Sequence, residues 1–135
     1  MNCPFCALLP YQGAVANEHA VAFPDGFPIS PGHTLIIPKR HIASLFEATE
    51  EERAALFDLL GVMRERLLLE RNPDGFNIGI NDGEAAGQTV MHLHIHLIPR
   101  YVGDMPDPRG GVRWIFPDKA AYWKKPWRYR PLKNN

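Results

Sequence analysis

Only two cysteines occur in the 135 residues, Cys3 and Cys6. Three positions apart, they are too close to build a framework of structural cross-links, which excludes a disulfide-framed scaffold and leaves a metal knuckle or a redox pair. Long apolar runs are also missing. No segment approaches the roughly 18 residues a membrane-spanning helix needs, and the N-terminus lacks the basic-then-apolar pattern of a secretory signal, so a cytoplasmic protein without a membrane partner is expected. Charge of one sign is not in excess: 15 basic and 15 acidic residues give a net charge of +0. That removes the global basic field that would favour long nucleic acid and leaves single nucleotides open. Internal repeats and low-complexity tracts are absent as well, which argues against a solenoid or a disordered chain.

What is present is an ordinary globular composition, 45% hydrophobic and 22% charged, in a length suited to one domain with a real core. Residues 18–23 read as a strand ending at Pro24-Asp25-Gly26. A second turn at Ser30-Pro31-Gly32 precedes a strand His33-Thr34-Leu35-Ile36-Ile37. Thr49 and Glu52 form a capping box, and Leu56, Leu59, Leu60, Met63 and Leu67 recur at helical spacing behind it, so one long helix runs to about Arg71, ahead of Asn72-Pro73. Residues 76–80 alternate like a strand, 81–87 make a loop with two glycines, and a last strand begins at Val90. Strands, one helix, then strands again indicate an α+β domain with an antiparallel sheet.

The last strand carries the chemistry. In Met91-His92-Leu93-His94-Ile95-His96-Leu97-Ile98 the three histidines share one face and the aliphatic residues the other. Three side by side cannot readily share one ion, because the first and third stand about 13 Å apart at strand rise. At least one histidine therefore does something else. Neutral imidazole is abundant near pH 7 and can attack phosphorus, forming a phosphoramidate that a second step hydrolyses. The middle residue, His94, suits attack, and His96 suits protonation of the leaving group or contact with a phosphoryl oxygen. Just upstream, Gly83-Glu84-Ala85-Ala86-Gly87-Gln88-Thr89 offers glycines for close backbone approach, then an amide and a hydroxyl able to donate to phosphate. The lysine of a P-loop is missing from it.

The stretch from Gly83 to Arg100, with its Gly-Gln-Thr step and the alternating histidines, closely resembles the signature of the histidine triad (HIT) family. So do Cys3 to Cys6, the run from Ser30 to His41, and the turn Asn81-Asp82-Gly83. The resemblance implies a HIT-like fold with a five-stranded antiparallel sheet and one long helix per protomer, joined into a ten-stranded sheet in a homodimer. Residues 1–112 would form the HIT domain and 113–135 a basic, aromatic extension of it. By position, His94 is similar to the family nucleophile, His96 and His33 to its companions, Gly87, Gln88 and Thr89 to the phosphate-binding loop, Asn81 to a polar group near the leaving side, and Asp25 to the ribose-binding residue. His33 can equally open a strand, and Asp25 can equally form a turn.

Members with this N-terminal cysteine pair hold a structural zinc ion, which on this chain implies Cys3, Cys6, His41 and His92 as ligands. That is a closed Cys₂His₂ set, which would free His94 and His96 for chemistry. No organic cofactor is implied. The activity implied is hydrolysis at the α-phosphorus of an adenosine-containing nucleotide, either a nucleoside phosphoramidate or a dinucleoside polyphosphate such as diadenosine tetraphosphate. A nucleotidyltransferase and a regulatory nucleotide-binding module are the rivals. The family's transferase branch is less similar, because it has glutamine where His96 stands. From Arg113 onward Lys and Arg outnumber acids among Trp114, Phe116, Tyr122, Trp123, Trp127 and Tyr129. Such a tail suits either contact with further phosphates and a second base or packing against the protein.

Overall fold

The computed structural model describes residues 2–8 and 14–133. The chain divides into two compact units, Met1–Val102 and Gly103–Asn135. The first contains a five-stranded antiparallel sheet of β1 (Val15–Ala16), β2 (Ala20–Pro24), β3 (Thr34–Pro38), β4 (Gly75–Gly79) and β5 (Ile95–Arg100), in the order β1-β2-β3-β5-β4, with one long helix, α1 (Glu50–Arg71), between β3 and β4. This is the architecture the sequence implied.

Local chemistry sets the boundaries. Asn17 Oδ1 accepts the N–H groups of His19 and Ala20 at 3.1 and 2.8 Å. That turn keeps Glu18 and His19 out of the strand expected to start there, so β2 begins at Ala20. Thr49 and Glu52 cap α1 reciprocally. Arg40 adds two bonds to the buried Glu52 carboxylate, at 3.0 and 2.7 Å, from an exposed position. The helix stops at Asn72, which sits at φ 49° and returns its N–H to the Leu68 carbonyl, a left-handed cap open to asparagine more readily than to most residues.

The helix lays Leu56, Leu59, Met63 and Leu67 on Ala20, Ala22, Ile36, Leu93, Ile95 and Leu97 of one sheet face. Burying each such leucine or isoleucine contributes about 1.5–3 kcal/mol, so this layer anchors the helix to the sheet. The opposite face of the sheet, by alternation, carries Val21, Phe23, Leu35, Ile37 and His96.

The histidine segment departs from the sequence reading in one respect. The strand starts at Ile95 rather than Val90. The β3–β5 pairing ends at Ile36↔Ile95, and the rung beyond would fall on Pro38, which has no N–H. The Pro38 carbonyl is taken by His92 Nε2 at 2.8 Å, and Leu93 N–H finds the Ile42 carbonyl instead at 2.6 Å. His92 and His94 thus stand on the lead-in to β5, not on its ladder.

The second unit is a cluster of short turns around α2 (Pro117–Ala120). Arg109 lies over Trp123 at 4.4 Å and Arg113 over Tyr122 at 5.0 Å, while Trp114 Nε1 donates to the Arg109 carbonyl at 2.8 Å. Two of the aromatic residues that marked this tail, Tyr122 and Trp123, therefore lie under its own cations.

Candidate active site and metal centre

The loop 25–33 is closed at its ends by the Asp25 N–H, which donates to the His33 carbonyl at 3.0 Å. Inside it, the Ile29 N–H donates to His33 Nδ1 at 3.2 Å. An imidazole that accepts at Nδ1 carries its proton at Nε2 when neutral. His33 Nε2 lies 2.9 Å from His96 Nδ1 and 3.3 Å from Asp25 Oδ2. His33 Nε2–H is therefore the donor and His96 Nδ1 the acceptor, which leaves the His96 proton on Nε2, its far nitrogen. Burial pushes His33 below its ordinary value against the pull of Asp25, and burial, His94 and His33 together push His96 down.

His94 is oriented independently. Its Nδ1 lies 2.8 Å from the His92 carbonyl, which can only accept, so Nδ1 holds the proton and Nε2 presents a lone pair. The His94 and His96 ring centres are 5.1 Å apart. A nucleophilic nitrogen and a hydrogen-bond donor are thus set side by side, the pairing required for displacement at an electrophile with a departing base.

His92 shows the opposite arrangement. Its Nε2–H is used by Pro38, so the buried Nδ1 of the neutral ring is a bare lone pair, and burial pushes its proton affinity below the ordinary value. This Nδ1 lies 3.6 Å from Cys3 Sγ, 3.5 Å from Cys6 Sγ and 3.2 Å from His41 Nδ1, and Cys6 Sγ is 3.3 Å from His41 Nδ1. Tetrahedral zinc with Zn–S of about 2.3 Å and Zn–N of about 2.0 Å gives donor–donor edges of about 3.3 Å for N–N, 3.5 Å for S–N and 3.8 Å for S–S, so these N–N and S–N separations fit that ion. The Cys6 N–H also points at Cys3 Sγ, 3.4 Å away. Burial and the Cys3 side chain push the Cys6 thiol up, and a dication among the donors reverses that by favouring thiolates.

Asp25, His33 and His96 form a second group close enough to hold an ion, but its proton pattern is different. His33 must carry hydrogen at the nitrogen that would face the metal, because its other nitrogen is occupied by the Ile29 N–H. This group is a proton-bearing cluster, whereas the cysteine group presents lone pairs.

The remaining candidates divide. Asn81 and Thr89 are exposed near the loop ends, and among the described residues neither side chain has a hydrogen-bond partner. Gly87 closes a short turn at φ 92° and donates to the Glu84 carbonyl at 2.9 Å. Gln88 is buried and its amide is committed: Oε1 accepts from Gly83 N–H at 2.8 Å, and Nε2 donates to the Ala43 and Val90 carbonyls at 2.9 and 3.1 Å. Its side chain anchors the loop.

Sequence reasoning did not single out Phe5. Held between the two cysteines, its ring meets His94 edge-on at 5.2 Å, His92 at 5.9 Å and Phe23 at 5.6 Å. The signal available was the lone aromatic inside the Cys-Pro-Phe-Cys knuckle.

The HIT domain model matches residues 10–103. A crystal structure of a HIT family protein from Bacillus anthracis superposes with a TM-score of 0.71 at 42% identity, covering 76% of each chain. A Zn-bound histidine triad family protein from Mycobacterium smegmatis gives 0.69 at 36% identity over 79% of this chain and 85% of that one. Among curated relatives, adenylylsulfatase HINT3 of Arabidopsis thaliana is 34% identical over 103 residues, 73% of this chain and 52% of its own.

Proposed function

The chain belongs to the HIT family, and from that premise we propose that it hydrolyses adenosine-containing nucleotides at the α-phosphorus through a nucleotidyl-His94 intermediate. The observation that carries the proposal is the fixed tautomer of His94, whose Nδ1–H is held by the His92 carbonyl while Nε2 is left as a lone pair beside His96. In the first step the Nε2 lone pair forms an N–P bond, the bond from phosphorus to the leaving group breaks, and that group departs with a proton supplied from the His96 side. In the second, water forms the new P–O bond, the N–P bond breaks, and the water's proton returns to His96. Asn81 and Thr89, with unused polar atoms, and the Gly87 turn would meet the phosphate, while Asp25 would take the ribose hydroxyls. The Arabidopsis relative, an adenylylsulfatase, favours an adenylyl group with a small anionic leaving group.

Cys3, Cys6, His41 and His92 would hold a structural zinc ion; with four protein ligands it would cross-link the N-terminal knuckle to the sheet and leave no position for water. The Zn-bound relative supports that reading. A homodimer fits the outer strand β4, whose free edge carries the half-exposed Ile78 and would join two sheets edge to edge.

The test is a rate comparison on adenosine 5′-phosphoramidate and diadenosine tetraphosphate. Wild-type protein releases AMP from at least one of them, and His94→Ala lowers that rate roughly 10³-fold or more. Equal rates in the two proteins would refute the covalent route.

A further inference from the structure

Asp25 meets the two histidines through a single oxygen. Oδ2 lies 3.3 Å from His33 Nε2 and 3.9 Å from His96 Nδ1, while Oδ1 is tethered by the Phe27 N–H at 2.9 Å. Proton counting shows what that oxygen must do. A neutral His96 that gave up its Nε2 proton would be left as an imidazolate, which is inaccessible near neutral pH. To act as an acid His96 must first gain a second proton, at Nδ1. That new N–H cannot point at His33 Nε2, 2.9 Å away, because His33 already carries hydrogen there. Among the described residues the acceptor that faces it is Asp25 Oδ2, which at 3.9 Å must draw closer to accept that hydrogen. The other groups facing His96 oppose its charging: His94, ring to ring at 5.1 Å, and His33 at 5.2 Å. The flanking strands β3 and β4 contain no titratable residue. Among the described residues Asp25 is the group that draws a proton to the pair, and it does so from a mostly buried position, with its side chain 14% exposed.

We infer that Asp25 is a proton-positioning residue as well as a ribose ligand, so that the ribose hydroxyls and the His96 Nδ1–H compete for Oδ2 and nucleoside binding loosens the proton that His96 delivers. The inference rests on the ribose reading of Asp25 given above. It makes the ribose a reporter of substrate identity at the acid: a bound nucleoside with both hydroxyls strengthens the acid, and one without them does not. The proton leaves from His96 Nε2 to the departing atom, His96 remains neutral with hydrogen on Nδ1, and attacking water restores the count in the second step.

The experiment is a histidine-ring NMR titration of the full-length, metal-loaded protein with saturating adenosine or 2′,3′-dideoxyadenosine. Adenosine is expected to lower the His96 midpoint by about half a unit or more relative to the dideoxy compound. In Asp25→Asn the two nucleosides should give the same midpoint. Equal midpoints in wild-type protein, with both nucleosides bound and adenosine shifting the amides of loop 25–33, would overturn the inference alone. Adenosine that saturates without touching that loop would overturn the ribose reading, and the inference with it. A fall with adenosine that persists in Asp25→Asn would assign the effect to another group. The wild-type comparison needs no variant, and an unchanged amide spectrum certifies the folding of Asp25→Asn.

Discussion

His92 and His94 are two residues apart and present opposite ring nitrogens: the His92 carbonyl accepts His94 Nδ1–H at 2.8 Å, while His92 gives its own Nε2–H to Pro38 at 2.8 Å. The same backbone stretch thereby makes one imidazole a lone pair at Nδ1, aimed at the cysteines, and the other a lone pair at Nε2. Both choices are set by carbonyls, which accept and never donate.

That division predicts separable losses. Cys6→Ser should remove bound zinc, lower Tm by several degrees and reduce nucleotide affinity through the displaced Phe5, while His94 can still be modified by a phosphoryl electrophile. Metal content per chain, Tm and nucleotide affinity check it together. Full zinc occupancy in Cys6→Ser would contradict the four-donor site.

Glu52 is the second point of leverage. It closes the Thr49 capping box and pairs with Arg40, and that hydrogen-bonded pair holds its carboxyl at about 2, below its ordinary 4.5. Glu52→Ala removes both, which should cost about 2 kcal/mol, read as a lower urea midpoint.

Acid should therefore destabilise the fold in two stages. His33 and His96 have proton affinities lowered by burial, so the unfolded chain, with histidines near 6.5, binds protons first. Stability is complete above that value and declines as pH falls below it. Glu52 adds a second loss between 4.5 and about 2, for the same reason of sign: its folded value is depressed. Tm measured against pH should show both, and Glu52→Gln should flatten only the lower stage.

Gly32 has φ +92°, and a Cβ there would lie 2.9 Å from both Leu67 Cδ2 and Arg71 Cδ. Gly32→Ala should cost about 1–2 kcal/mol from backbone strain and crowding. Because His33 follows directly, amide shifts should spread through loop 25–33 to Asp25; shifts confined to α1 would contradict that coupling.

Much of this was legible from residue types alone. Thr49 with Glu52 fixed the helix start, and strict alternation separated the histidine face from the Leu93, Ile95 and Leu97 face that packs on α1. What could not be read depends on partners distant in sequence. The strand begins at Ile95 because Pro38 and Ile42 meet the segment before it, and no local pattern at Val90 reports that. Gln88 resembled a phosphate donor, yet its amide is consumed by Gly83, Ala43 and Val90. The contact of Asp25 with both His33 and His96 arises only when loop 25–33 folds back over β5.

The most direct test of a nucleotidyl-His94 intermediate is the stereochemical course at phosphorus, followed with an adenosine phosphorothioate substrate of defined configuration in ¹⁸O-labelled water. Two successive displacements, first by His94 Nε2 and then by water, predict net retention of configuration. Inversion would mean a single attack by water and would contradict the account.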